Sequence, residues 1–192
     1  MPRPKQTRNA MTQQLTGIYW LTGLSGAGKT TLTLGAADLL RAQGHPCLVL
    51  DGDIMRAGLS SDLGFSPEDR RENLRRAGEV ARLVAQQGQV CLCAFITPYQ
   101  ATRNALRQRL GPLYREIFVS CPLESCVSRD PKGNYARARR EGRTDYTGIG
   151  APYETPDAPD VRVETNTSGI DDCVRTIVQF IYDSQPPRQG DR

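Results

Sequence analysis

Histidine is nearly absent from this sequence. His45 is the only one, and the six cysteines (Cys47, Cys91, Cys93, Cys121, Cys126 and Cys173) include no C-x-x-C pair. A zinc site is therefore not expected. Several of these cysteines fall in apolar, strand-like runs, where a free thiol behaves as a small hydrophobe. No apolar run reaches the length needed to cross a bilayer, and no secretory core precedes a cleavage site. A dense block of basic residues is also missing. Lys and Arg outnumber Asp and Glu by only 25 to 21, a net charge of +4. That excess, mostly arginine, suits a small polyanionic substrate as well as it suits nucleic acid. The expectation is a reduced, cytoplasmic enzyme with no membrane and no nucleic-acid partner. A length of 192 residues suggests one domain with room for a small lid.

What is present is organised around Ile18 to Thr31. Residues Gly23 to Thr30 read G-L-S-G-A-G-K-T and fit G-x-x-x-x-G-K-[ST] without a mismatch. An apolar run, Ile18 to Leu21, predicts a buried strand before the loop. Leu32, Leu34, Ala36, Leu39 and Leu40 predict a helix after it, ending at Gly44. A glycine turn before an ordinary helix would account for the glycines alone, but not for the strand, lysine and hydroxyl in register. The glycines let the backbone turn its N–H groups inward, and the helix N-terminus adds partial positive charge. Lys29 can reach the β- and γ-phosphates of a nucleotide, and the Thr30 hydroxyl can ligate Mg²⁺.

Cys47 to Leu50 reads as a second strand, ending in Asp51-Gly52-Asp53. Carboxylates at a strand's carboxyl end stand where open α/β sheets bind their ligands. Asp53 is expected to take or orient a substrate hydroxyl proton, and Asp51 or Asp53 to hold Mg²⁺ through water. Ser66, Pro67 and Asp69 form a helix start, with Leu74, Ala77, Ala81, Val84 and Ala85 at helical spacing as far as Gly88. Arg70 and Asn73 share a face of the first turn near Phe65, a combination suited to a nucleotide. Val90 to Ile96 predicts a third strand that leaves Thr97 at the sheet's edge. Ala101 to Leu110 predicts a helix, Glu116 to Val119 a fourth strand, Pro122 to Val127 a helix. Val161 to Glu164 predicts a fifth strand and Ile170 to Tyr182 a closing helix. Between the last helix pair lies the densest basic stretch, Ser128 to Arg140, running on to Glu154. It reads as a lid over phosphates, with an exposed helix or an RNA-binding patch as the alternatives. The polar ends, 1–14 and 185–192, are expected to be tails, the first disordered. The single domain spans 15–184, with its lid at about 129–155. Strand–helix alternation implies a three-layer, parallel α/β architecture.

With those residues in place, the chain resembles the adenylyl-sulfate kinase family of P-loop kinases. The likeness runs from about Thr16 to Tyr182. It rests on Gly23 to Thr30, Asp51-Gly-Asp53 with Arg56, Asp62-Leu-Gly-Phe-Ser66, and Glu72-Asn-Leu-Arg-Arg76. Arg129-Asp-Pro-Lys-Gly133, Tyr146-Thr-Gly-Ile149 and Pro152-Tyr-Glu154 complete it. The resemblance implies an α/β/α P-loop fold with a mainly parallel five-stranded sheet. It also implies transfer of the γ-phosphoryl group of ATP to the 3′-hydroxyl of adenosine 5′-phosphosulfate, with Mg²⁺ and a homodimer. Gly23, Leu24, Ser25, Gly26, Ala27, Gly28, Lys29, Thr30 and Thr31 would hold ATP and metal, with Asp51 assisting. Arg129, Ser168 and Cys173 would lie near the ATP adenine. Asp53, Arg56, Phe65, Arg70, Asn73, Ile96, Thr97, Lys132, Asp145 and Tyr146 would line the acceptor site, with Phe65 and Tyr146 clasping its adenine. Lys29 and Asp53 would carry the chemistry. The departures are local. Thr30 and Thr97 stand for serines, and Gln100 and Thr102 for an arginine and an aspartate. Asn134 stands for an apolar residue, Arg143-Thr144-Asp145-Tyr146 for an Ile-Lys-Gly-Phe-like run, and Gly150 for an aspartate. A kinase acting on another 3′-hydroxyl nucleotide, such as a cytidine derivative, and a nucleotide-binding switch are the competing readings.

Overall fold

The computed structural model describes residues 14–185. The tails expected at 1–14 and 185–192 therefore lie outside the described residues except for one residue each. Gln14 donates to Gly88 O at 3.0 Å. Gln185, expected to begin a frayed tail, is instead tied down: it donates to Thr16 O at 3.0 Å and to the Tyr19 hydroxyl at 2.8 Å.

Five strands make one sheet. They are β1 (Gly17–Thr22), β2 (Cys47–Asp51), β3 (Val90–Ala94), β4 (Tyr114–Ser120) and β5 (Val161–Glu164), in the order β2-β3-β1-β4-β5. Every pairing is parallel, and β1 lies centrally with Ile18 opposite both Cys91 and Tyr114. Parallel strands buried on both faces need near-continuous apolar sequence, and all six residues of β1 are buried. Alternation along β1 feeds two cores. Tyr19 and Leu21 face α1 (Lys29–Ala42) and α7 (Ile170–Asp183), meeting Leu32, Leu40, Ile177 and Ile181. Ile18 and Trp20 face α3 (Pro67–Gln86) and α4 (Gln100–Leu110), meeting Leu74, Ala77, Leu106 and Leu110. The result is the expected three-layer sandwich. Among the described residues no helix is long and apolar enough to cross a membrane.

Two local expectations are corrected. The third strand ends at Ala94 rather than Ile96, because the backbone leaves the ladder before Pro98 and turns at Thr97 with φ +43°. A short helix, α2 (Gly52–Ala57), follows Asp51 directly, and its six residues were too few to show a period. The Ser66 start holds: its hydroxyl accepts from Asp69 N at 3.1 Å. The basic segment contains α6 (Asn134–Arg140), preceded by α5 (Leu123–Arg129). The helix α6 is anchored by the buried Tyr135 and Ala138.

Candidate active site

A parallel sheet brings every strand's carboxyl end to one edge, and this edge carries the polar groups. The glycine loop leaves β1 there. An added Cβ on Gly26, at φ +74°, would stand 2.8 Å from Cys126 O, so no side chain fits. Gly28 caps α1 without a side-chain bond, so the helix's first N–H groups point into the loop unsatisfied by a cap. Lys29 is buried. Its ammonium donates to Gly23 O at 2.9 Å and Leu24 O at 2.7 Å. Burial lowers its pKa to about 8, with Asp51 and Asp53 partly opposing that shift. Ser25 O accepts from the Tyr135 hydroxyl at 3.0 Å, which joins the loop to α6. Ala27 is buried and Thr31 exposed.

At the end of β2, Asp51 is buried and fixed on both oxygens. Thr30 donates to Oδ2 at 2.7 Å and Asp53 N to Oδ1 at 2.9 Å. Asp53 itself is exposed and pairs with Lys132 of the basic segment, 79 residues away in sequence. That pair also holds the Lys132 ammonium above its ordinary pKa. A hydroxyl beside a carboxylate, both hard oxygen donors, fits Mg²⁺, which takes few protein ligands and completes its shell with phosphate and water. Among the described residues no group of three His, Cys, Asp or Glu side chains could hold a metal without such help.

Beside the loop, Arg129 donates to Thr165 O at 2.7 Å and to its hydroxyl at 3.2 Å, and that hydroxyl donates to Ala27 O at 2.9 Å. Ser168 is exposed nearby, its N donating to Glu164 O at 3.0 Å. Cys173 is buried in the α1–α7 core with its thiol 3.9 Å from Glu164 O, so its side chain presents no surface.

A cavity of about 360 Å³ is lined by Phe65, Arg70, Leu74, Tyr99, Asp145 and Ala151. Phe65 is 55% exposed. Arg56 covers its ring at 4.5 Å and donates to Gly64 O at 2.7 Å. Arg70 donates through Nε to Phe65 O at 2.8 Å. Asn73 is buried beneath, and its Oδ1 has no partner. Tyr146 is half-buried and packs edge-on against Tyr135, with ring centres 5.3 Å apart. The groups over the Phe65 ring are guanidiniums, those of Arg56, Arg70 and Arg143. A larger cleft of about 740 Å³ lies under the 148–155 segment at the β4–β5 edge. Of the expected site residues it touches Leu24 alone.

Sequence reasoning placed Ile96 and Thr97 here but missed what holds them. Ile96 O accepts from the Thr22 hydroxyl at 2.7 Å. Thr97 is buried, its hydroxyl accepting from Trp20 Nε1 at 2.9 Å and its carbonyl from Arg103 Nη1 at 2.9 Å. A β-branched residue at positive φ is strained, and these two bonds hold it. Arg103 and Glu116 are both buried, 3.6 Å apart, with the Tyr114 hydroxyl donating to Glu116 at 3.2 Å. Burial raises the Glu116 carboxyl pKa. The signal was Arg103 standing three and seven residues before Leu106 and Leu110, on the apolar face of its helix.

Comparison with known proteins bears on this geometry. The family model described as adenylylsulphate kinase matches residues 15–164. The adenylyl-sulfate kinase of Bacillus licheniformis is 44% identical over 180 residues, covering 93% of this chain and 91% of that one. The bifunctional enzyme NodQ of Azospirillum brasilense is 44% identical over 91% of this chain, which spans only 28% of that protein's length. Among solved structures, the Mycobacterium tuberculosis APS kinase CysC in complex with AMPPNP and APS superposes with a TM-score of 0.82. It has 38% identity and covers 88% of this chain and 98% of that one.

Proposed function

Because the chain belongs to the adenylylsulphate kinase family, we propose a role for each group at this edge in passing the γ-phosphoryl of ATP to adenosine 5′-phosphosulfate. The protein is an ATP-dependent kinase with that acceptor. The glycine loop and the start of α1 hold the ATP phosphates, and the Lys29 ammonium balances the charge that spreads over the γ-phosphoryl oxygens. Arg129, with Ser168 and the backbone around Cys173, borders the ATP adenine. Phe65 stacks the acceptor's adenine, with Tyr146 closing the same site, while Arg56, Arg70, Asn73, Ile96 and Thr97 line it.

Asp53 receives the proton of the acceptor's 3′-hydroxyl. The new bond joins that oxygen to the γ-phosphorus as the bond to the β,γ-bridging oxygen breaks, and ADP leaves with the electron pair. The products are ADP and 3′-phosphoadenosine 5′-phosphosulfate. Lys132 steadies Asp53 and brings the 129–155 segment, the lid, down over the phosphates. Thr30 and Asp51 would hold Mg²⁺, which would supply neutralisation of phosphate charge when bound. The working assembly is a homodimer in the cytoplasm.

The observation that supports this reading most is the Asp53–Lys132 pair beside the Thr30–Asp51 pair. It leaves an exposed carboxylate, Asp53, two residues from the Asp51 that Thr30 holds, which supports Asp53 as the proton acceptor. The test is ADP release with adenosine 5′-phosphosulfate against a panel of 3′-hydroxyl nucleotides, cytidine compounds included, with the product identified by mass. Preference for any other acceptor refutes the substrate, and sedimentation as a monomer refutes the dimer.

A further inference from the structure

Three guanidinium groups converge on the exposed ring of Phe65. Arg56 stands 4.5 Å, Arg143 5.7 Å and Arg70 5.9 Å from its centre. Among the described residues a single carboxylate answers them directly. Asp145 accepts a forked pair from Arg143, at 2.9 Å from Nε and 2.8 Å from Nη2, and lies 3.5 Å from Arg70 Nη2. The other bonds of Arg56 and Arg70 go to neutral carbonyls: Gly64 O, Phe65 O and Asp145 O. Asp69 is spent on Gly64 N, and Asp53 on Lys132. Three guanidiniums are thus answered by one carboxylate beside the cavity that Phe65, Arg70 and Asp145 line. Burial, and then the neighbouring Arg70 charge, lower the pKa of Arg56, with Asp69 and Asp53 opposing.

The loop carrying Arg143 and Asp145 is braced rather than open. Tyr146 O accepts from the N–H groups of Ile149, Gly150 and Ala151 at 3.0 to 3.1 Å. Gly150 packs so closely on the Thr144 backbone that any Cβ there would collide with it. The fork is therefore presented from a rigid turn and need not be ordered at the moment of binding.

We propose that Arg143 is an acceptor-recognition residue. With Arg70 it binds the anionic 5′ group of the nucleotide whose base stacks on Phe65, and Asp145 is the internal counter-ion that this anion displaces. The ligand chemistry is an oxyanion such as the phosphosulfate, because a guanidinium fork matches two oxygens of a phosphoryl or sulfuryl group as it matches a carboxylate. Identifying the anion as the phosphosulfate rests on the functional reading above; the anion site itself does not.

The test compares wild type, Arg143→Ile, Arg143→Lys and Asp145→Asn by steady-state kinetics with adenosine 5′-phosphosulfate at saturating ATP. Arg143→Ile should raise the acceptor KM about tenfold, the scale of one lost charge-assisted bond, while the ATP KM stays within about twofold. Arg143→Lys should recover part of the loss. Asp145→Asn should lower the acceptor KM several-fold, and the salt dependence of that KM should be shallower in Arg143→Ile. An unchanged or lowered acceptor KM in Arg143→Ile overturns the proposal, the second result meaning that Arg143 obstructs the site. If wild type releases no ADP with this acceptor, the functional reading fails by itself. Calorimetric titration of inorganic sulfate into the ADP-bound proteins then decides the anion site. Weaker binding by Arg143→Ile supports it, and equal binding refutes it.

Discussion

The buried lysine of the phosphate loop should make ATP binding take up a proton. In the ligand-free protein Lys29 has its pKa lowered to about 8, chiefly because its ammonium is shut away from water. At pH 8 about half of the molecules therefore carry the charge, and at pH 9 about a tenth do. A bound polyphosphate favours the charged form and pulls the pKa back up by the same electrostatics, so ATP binding at pH 8 should take up about half a proton. Because only the charged form offers the full attraction, ATP affinity should fall about fivefold between pH 8 and pH 9. The sign follows from a pKa lower in the free state than in the bound state: uptake, with tighter binding as pH falls. Calorimetry in buffers of differing ionisation enthalpy measures the proton count. Lys29→Met serves as the reference, since proton exchange by the nucleotide itself is common to both proteins. Equal uptake in wild type and Lys29→Met, with no steeper pH dependence in wild type, would refute the reasoning.

Other outcomes follow from the same edge. Asp53→Asn should lose turnover by about a hundredfold or more, the lower range for a positioned base, while calorimetric ATP affinity stays nearly constant. Its stability should stay within about 1 kcal/mol, because the pair with Lys132 is exposed. A parallel loss of ATP affinity would make Asp53 a metal or structural residue. Thr30→Val should raise the Mg²⁺ concentration for half-maximal activity about tenfold, since a hydroxyl that donates to Asp51 is lost; an unchanged metal titration argues against Thr30 as a ligand. Arg103→Met should destabilise the fold by about 3–5 kcal/mol in urea, because Glu116 is left buried and unpaired. The double change with Glu116→Gln should recover part of that loss, and strictly additive costs would show that the two groups do not act as a pair.

The phosphate loop was legible because its chemistry is contiguous. Glycines, lysine and hydroxyl sit within eight positions, and the flanking strand and helix announce themselves by period. The Ser66 helix start was legible for the same reason, its cap and partner Asp69 being three residues apart. Asp51 could be placed at the sheet edge, but whether it or Asp53 served the metal stayed open. Thr30, 21 residues upstream, bonds Asp51 and not Asp53, a contact that no local pattern announces. Arg103 falls within the helix that Ala101 to Leu110 predicts, and nothing local fixes it as buried. Its burial depends on Glu116, Thr97 and Tyr114, which arrive from β4 and from the turn after β3.

The sequence by itself determined the alternation of strand and helix, the nucleotide loop and the carboxylates that end β2, because each is written in neighbouring residues and enforced by local backbone and burial preferences. Tertiary structure decided which carboxylate is buried, what stands over Phe65 and where Lys132 goes. Those outcomes depend on a parallel sheet that gathers five strand ends at one edge, and on a basic segment folded back across it. The Lys132–Asp53 pair joins residues 79 apart, and no period or motif of the chain encodes a contact of that separation. Only the packing of α6 through Tyr135 and Ala138 brings that segment within reach.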